Sequence, residues 1–104
     1  MSQDFQDKVV LVTGGSRGLG KAMAHGFAAQ GAKLAIVSRK LDGCEATAAE
    51  LTAAYGTETF ARSTHVGDWD DLDRMVEAVI ERFGRIDVLV NNAGMSPLYP
   101  SLSD

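Results

Sequence analysis

The strongest constraint on this chain is an alternation. Four short runs rich in apolar and β-branched residues recur: "KVVLVT" (8–13), "KLAIVS" (33–38), "ETFARSTHV" (58–66) and "RIDVLVN" (85–91). Each gap between them is long enough for a helix and is patterned like one. The first two runs are continuously apolar, as strands covered on both faces should be. The third is more polar and reads as a strand at a sheet edge. In the gaps, Leu19, Ala22, Met23, Gly26 and Phe27 fall at helical offsets and predict one stripe, with Gly31 as a left-handed end. Asp42, with Glu45 three residues on, is the expected N-cap of a second helix. Its inner face would be Cys44, Ala48, Leu51 and Tyr55, and its end Gly56. Asp68 is the expected start of a third helix, with Leu72, Met75, Val76, Val79, Ile80 and Phe83 on one face and Gly84 at its close.

Strand, helix, strand in this order forces parallel neighbours and right-handed crossovers. The expected fold class is therefore α/β, a doubly wound parallel sheet of four strands in order 3-2-1-4 with three helices. Such a sheet usually continues past its fourth strand, so this one reads as incomplete, with an open edge that favours association. The 104 residues suit one domain. A net charge of −4 argues against nucleic-acid and anionic-membrane binding, both of which need a dense cationic footprint. A single cysteine, Cys44, offers no internal disulfide and reads as core. "MSQDFQDK" has no apolar leader, and no apolar run is long enough to span a membrane, so a cytoplasmic location is expected.

Function concentrates in "VTGGSRGLGKA" (12–22), which places four glycines between the first strand and the first helix. A glycine turn at a helix N-terminus is an anion site, because backbone N–H groups point outward and the helix dipole favours negative charge. The spacing Gly15-x-x-x-x-Gly20-Lys21 also suits an ATPase phosphate loop. That loop needs Ser or Thr after the lysine to hold magnesium, and here the residue is Ala22. It also wants an aspartate ending a buried strand, where "IDVLV" runs into Asn91 and Asn92. The ATPase reading is disfavoured, and Lys21 reads as a solvated helix residue.

"TGGSRGLG" (13–20) and "NNAG" (91–94), at this strand and helix count, resemble the short-chain dehydrogenase/reductase family. The resemblance runs from Lys8 through Gly94 and implies a Rossmann-type fold. It implies that Gly14, Ser16, Arg17, Gly18, Leu19 and Gly20 lie under the pyrophosphate of a nicotinamide dinucleotide. It also places Asn92, Ala93 and Gly94 near the ribose on the nicotinamide side. Relatives carry an aspartate where this chain has His65, which would accept a bond from the adenine amino group. A neutral imidazole nitrogen can also accept one. Val66 is implied to pack on the adenine.

The choice between NAD and NADP turns on the end of the second strand. NAD binders often place a carboxylate there for the ribose 2′-hydroxyl. This chain has Ser38, Arg39 and Lys40, with no carboxylate to repel a 2′-phosphate and Arg39 able to clamp one, helped by Arg17. NADP is the preferred cofactor, with NAD the other. The acids at 68, 70, 71 and 73 miss the spacing of a calcium loop and suit a helix N-terminus. His25 and His65 lack partners at metal spacing, and Trp69 reads as packing.

Hydride transfer to a carbonyl needs a proton donor beside the nicotinamide. Relatives use a serine and Tyr-x-x-x-Lys, and neither Tyr55 nor Tyr99 is followed by a lysine at that spacing. The resemblance thus implies the NADP(H)- or NAD(H)-binding portion, residues 1–104, of an oxidoreductase that interconverts a ketone and a secondary alcohol. Its catalytic half would lie elsewhere, and the parent would be a homo-oligomer. The alternative is a non-catalytic nucleotide-binding module.

Overall fold

The computed structural model describes residues 4–16, 18–65 and 67–91. Its elements alternate throughout: β1 (Val9–Thr13), α1 (Gly18–Ala29), β2 (Lys33–Ser38), α2 (Leu41–Tyr55), β3 (Thr59–Ser63), α3 (Trp69–Phe83) and β4 (Val88–Asn91). The strands form one parallel sheet in order β3-β2-β1-β4. Val10 registers with Leu34 on one side and with Val88 on the other. Both central strands are buried along nearly their whole length, which is why they carry unbroken apolar runs.

The two faces of the sheet have separate cores. Val10, Val12, Leu34 and Ile36 point towards α1 and α2, where Ala24, Ala28, Cys44 and Leu51 meet them. Val9, Leu11, Ala35 and Val37 point the other way, onto Met75 and Val79 of α3. Gly56 and Gly84 end α2 and α3 in left-handed geometry, and Gly31 takes the same geometry after α1. The Asp68 side chain caps α3 by accepting from the N–H groups of Asp70 and Asp71.

Several local expectations need correction. The buried face of α1 is Gly20, Ala24 and Ala28, whereas Leu19 is 66% exposed, Ala22 and Gly26 are exposed, and Met23 and Phe27 are half-buried. The helix lies close on the sheet, so its contact line takes small side chains and its larger ones spread to the flanks. Phe27 there meets Phe5 edge-on. The N-cap of α2 is Lys40, with no side-chain capping bond, and Asp42 sits inside the first turn. The helix begins directly from the β2–α2 turn, so Lys40 already accepts from the Cys44 N–H. Within α2, Thr47 is buried and Tyr55 is 41% exposed.

On α3, only Met75 and Val79 of the expected stripe are buried; Val76 and Ile80 are each more than 40% exposed. Trp69 is 74% exposed and does not pack. β3 is a sheet edge as expected but shorter, Thr59–Ser63, and β4 begins only at Val88. Before Val88, the Asp87 N–H donates to the Val9 carbonyl at 2.9 Å and its carboxylate accepts the Val9 N–H at 2.8 Å, so a side chain completes the pairing at the strand's start. Lys21 is not simply solvated: it pairs with Glu50 of α2 at 2.9 Å. Glu50 also meets His25, whose other ring nitrogen lies 2.9 Å from the Tyr55 hydroxyl. Lys21 first, and His25 after it, hold the Glu50 carboxyl below its ordinary value. Among the described residues, no helix is long and apolar enough to cross a membrane.

Candidate dinucleotide site

The C-terminal ends of the parallel strands carry nearly all the described candidate residues. β1 leads into Gly14 at φ 70°, whose N–H donates to the Val37 carbonyl at 2.6 Å. Gly15 is buried against the sheet. A Cβ there would stand 3.2 Å from both Ile36 Cγ2 and Val12 Cγ1, so the turn sits where a side chain would push it off. Gly18 opens α1 at φ 62° with open space around it, so its requirement is backbone conformation alone. Ser16 follows the two glycines, Leu19 projects into solvent, and Gly20 is buried under the first turn of α1. The expected contacts of Arg17, Val66, Asn92, Ala93 and Gly94 lie outside the described residues.

Beside the glycine turn, β2 ends at Ser38, and Arg39 and Lys40 are exposed. The Ser38 hydroxyl is directed inwards: it donates to the Lys40 carbonyl at 3.2 Å and lies 3.0 Å from Cys44 Sγ. Among the described residues, Arg39 and Lys40 form no ion pair. Lys21, Lys33, Arg62, Arg74, Arg82 and Arg85 each pair with a carboxylate.

His65 follows β3 at the same end and is exposed. Its backbone N–H donates to Asp71 Oδ2 at 2.8 Å. That bond, ahead of the nearby Arg62 and Arg74 charges, holds the Asp71 carboxyl below its ordinary value. His65 Nδ1 accepts the Gly67 N–H at 3.3 Å. That bond occupies Nδ1, so Nε2 is the ring nitrogen left facing outward.

Hydroxyl groups that spacing did not single out tie these turns together. Thr47 donates to the Ser16 carbonyl at 3.3 Å, joining α2 to the glycine turn. Ser63 donates to the Arg39 carbonyl at 2.9 Å, joining β3 to the β2–α2 turn. Thr13 donates to Asn91 Oδ1 at 2.9 Å, joining the ends of β1 and β4. Thr13 lay inside the glycine motif and Thr47 interrupts an alanine-rich helix. Those were the only signals that could have drawn notice to them. A cleft of about 260 Å³ opens at the opposite end of the sheet, between Asp7, Gly31, Lys33, Tyr55 and Glu58, away from these residues.

Parallel strands, a glycine turn opening a helix, and a cationic turn at the neighbouring strand end define a Rossmann-like α/β fold. The sequence profile of the short chain dehydrogenase family matches residues 8–103, and the chain belongs to that family. It is similar to levodione reductase of Leifsonia aquatica, 47% identical over 88% of this chain and 34% of the relative. It is similar to L-rhamnose 1-dehydrogenase (NAD(P)(+)) of Azotobacter vinelandii, 43% identical over 92% of this chain and 39% of the relative. The L-sorbose reductase of Gluconobacter frateurii, solved with NADPH and L-sorbose, superposes with a TM-score of 0.86 at 37% identity. That match covers 91% of this chain and 36% of the reductase. The chain thus spans little more than a third of the length of these relatives.

Proposed function

We propose that residues 1–104 are the cofactor-binding portion of an NADP(H)-preferring oxidoreductase that interconverts a ketone and a secondary alcohol. The observation that carries the NADP preference is the pair of exposed cations, Arg39 and Lys40, without ion-pair partners among the described residues. No carboxylate stands at this strand end to repel a 2′-phosphate, and a guanidinium there can hold one through charge-assisted bonds. The glycine turn fits the pyrophosphate: Gly14 and Gly18 take left-handed geometry, and Gly15 lies where a Cβ would crowd the sheet. The NADPH-bound L-sorbose reductase, a close structural match, agrees with this reading.

When bound, the nicotinamide supplies or accepts the hydride. The chain's own part is to hold the dinucleotide: the first turn of α1 faces its pyrophosphate and Arg39 its 2′-phosphate. The proton-donating group of the reaction lies outside these residues, because no Tyr-x-x-x-Lys occurs among them.

Titration of the folded chain with NADPH and NADH, followed by the fluorescence of its single tryptophan, Trp69, tests the reading. NADPH should bind about tenfold more tightly or better, and Arg39→Asp should reverse the order by setting a carboxylate against the 2′-phosphate. Tighter NADH binding by the unmodified chain overturns the NADP preference. Failure of a folded sample to bind either nucleotide overturns the cofactor claim.

A further inference from the structure

The turn at residues 38–40 is held more firmly than its exposure suggests. All three of its carbonyl groups accept hydrogen bonds from within the chain. Ser38 accepts the Thr64 N–H at 2.8 Å, Arg39 accepts the Ser63 hydroxyl at 2.9 Å, and Lys40 accepts the Ser38 hydroxyl and the Cys44 N–H. A carbonyl oxygen directed at an anion repels it. Tying these three groups into the fold leaves the turn with two cationic side chains and no carbonyl free to oppose them. Of these bonds, the one from Ser63 is the only side-chain contact that crosses from another strand. It also acts on the residue whose guanidinium matters most.

We propose that Ser63 is a positioning residue for discrimination between the two nicotinamide dinucleotides. It fixes the Arg39 backbone so that the guanidinium meets a ribose 2′-phosphate, without touching the cofactor itself. The inference rests on the reading of Arg39 given above. Without the Ser63 hydroxyl, the Arg39 carbonyl is free to rotate towards the anion, and the Arg39 side chain loses its fixed origin. The nicotinamide and pyrophosphate ends, held by the glycine turn and α1, are unaffected.

Ser63→Thr and Ser63→Val form the test pair, because the two side chains have nearly the same shape, both suit a strand, and only threonine keeps the hydroxyl. Dissociation constants for NADPH and NADH are measured for both, beside Arg39→Ala and the unmodified chain. Ser63→Val should weaken NADPH about three- to tenfold, the range one net hydrogen bond supports, and leave NADH unchanged. Ser63→Thr should keep the original ratio. Equal weakening of both nucleotides, or an unchanged ratio in Ser63→Val while Arg39→Ala loses the preference, overturns the role of Ser63 alone. If Arg39→Ala also keeps the ratio, the assignment of Arg39 falls, and this one falls with it.

Discussion

At the N-terminal end of the sheet, Lys33, Arg82 and Arg85 are matched to carboxylates, while Lys8 forms no ion pair among the described residues. Glu58 lies 3.3 Å from both Lys33 and Arg82, and Asp87 accepts the Val9 N–H while lying 2.6 Å from Arg85. At the C-terminal end, Arg39 and Lys40 are left without ion pairs among the described residues, and hydroxyls of Thr47 and Ser63, with the Asp71 carboxylate at His65, hold the turns. The same residue types serve opposite ends. Pairing suits an end that only has to hold strands together. Unpaired cations beside inward-turned carbonyls suit an end prepared for an anion.

The largest test removes what both ends share. Ile36 is fully buried at the centre of β2, and Ile36→Ala should cost about 2–5 kcal/mol, a large fraction of a small domain's stability. Thermal denaturation should show a midpoint lower by roughly 10–30 °C, with nucleotide binding lost only where the fold is lost. A full-affinity, fully stable variant would break the view that one core supports both ends.

A subtler change separates them. A Cβ at Gly43 would meet Ser16 Cβ at 3.0 Å, pressing α2 on the glycine turn. Gly43→Ala gains about 1 kcal/mol of helix propensity, which offsets part of the cost of crowding. Its melting point should therefore shift little while NADPH and NADH both weaken, as measured by calorimetric titration. Unchanged affinity would show that the turn yields at no cost to the site.

The smallest effect belongs to the other end. The Val9 N–H, then Arg85, hold the Asp87 carboxyl below its ordinary value, and Lys33, then Arg82, do the same for Glu58. Groups depressed in the folded state stabilise it above their unfolded values and lose that contribution as pH falls through the folded ones. The melting point should be level from neutral pH to about pH 5 and then decline through the carboxylate range. Asp87→Asn should shallow that decline without altering the NADPH-to-NADH ratio. A changed ratio would join two ends that the structure keeps apart.

Strand order and three helix caps were legible because their determinants are local: apolar runs, Gly56 and Gly84 at helix ends, and Asp68 before α3. The glycine turn was legible for the same reason. The contact face of α1 was not, because helical periodicity weights large apolar residues, whereas close approach to a sheet selects Gly20, Ala24 and Ala28. Val76 and Ile80 shared a periodic stripe with buried neighbours, yet the sheet reaches only the line of Met75 and Val79. The supporting residues of the site were hidden for a different reason. Ser63 and Thr47 act through side-chain bonds to the backbone of distant segments, and no sequence spacing encodes such a bond.

The sheet order also sets a folding sequence. β1 pairs with β2 after a short excursion, from Val9 to Lys33, but meets β4 only across 78 residues. Closing the longer loop costs about 1 kcal/mol more in chain entropy, so β4 is the strand expected to dock last and to open first. The contacts at its two ends, Val9 with Asp87 and Thr13 with Asn91, then act as a latch. Amide exchange along β4 would report how often that latch releases while the β1–β2 pair stays closed.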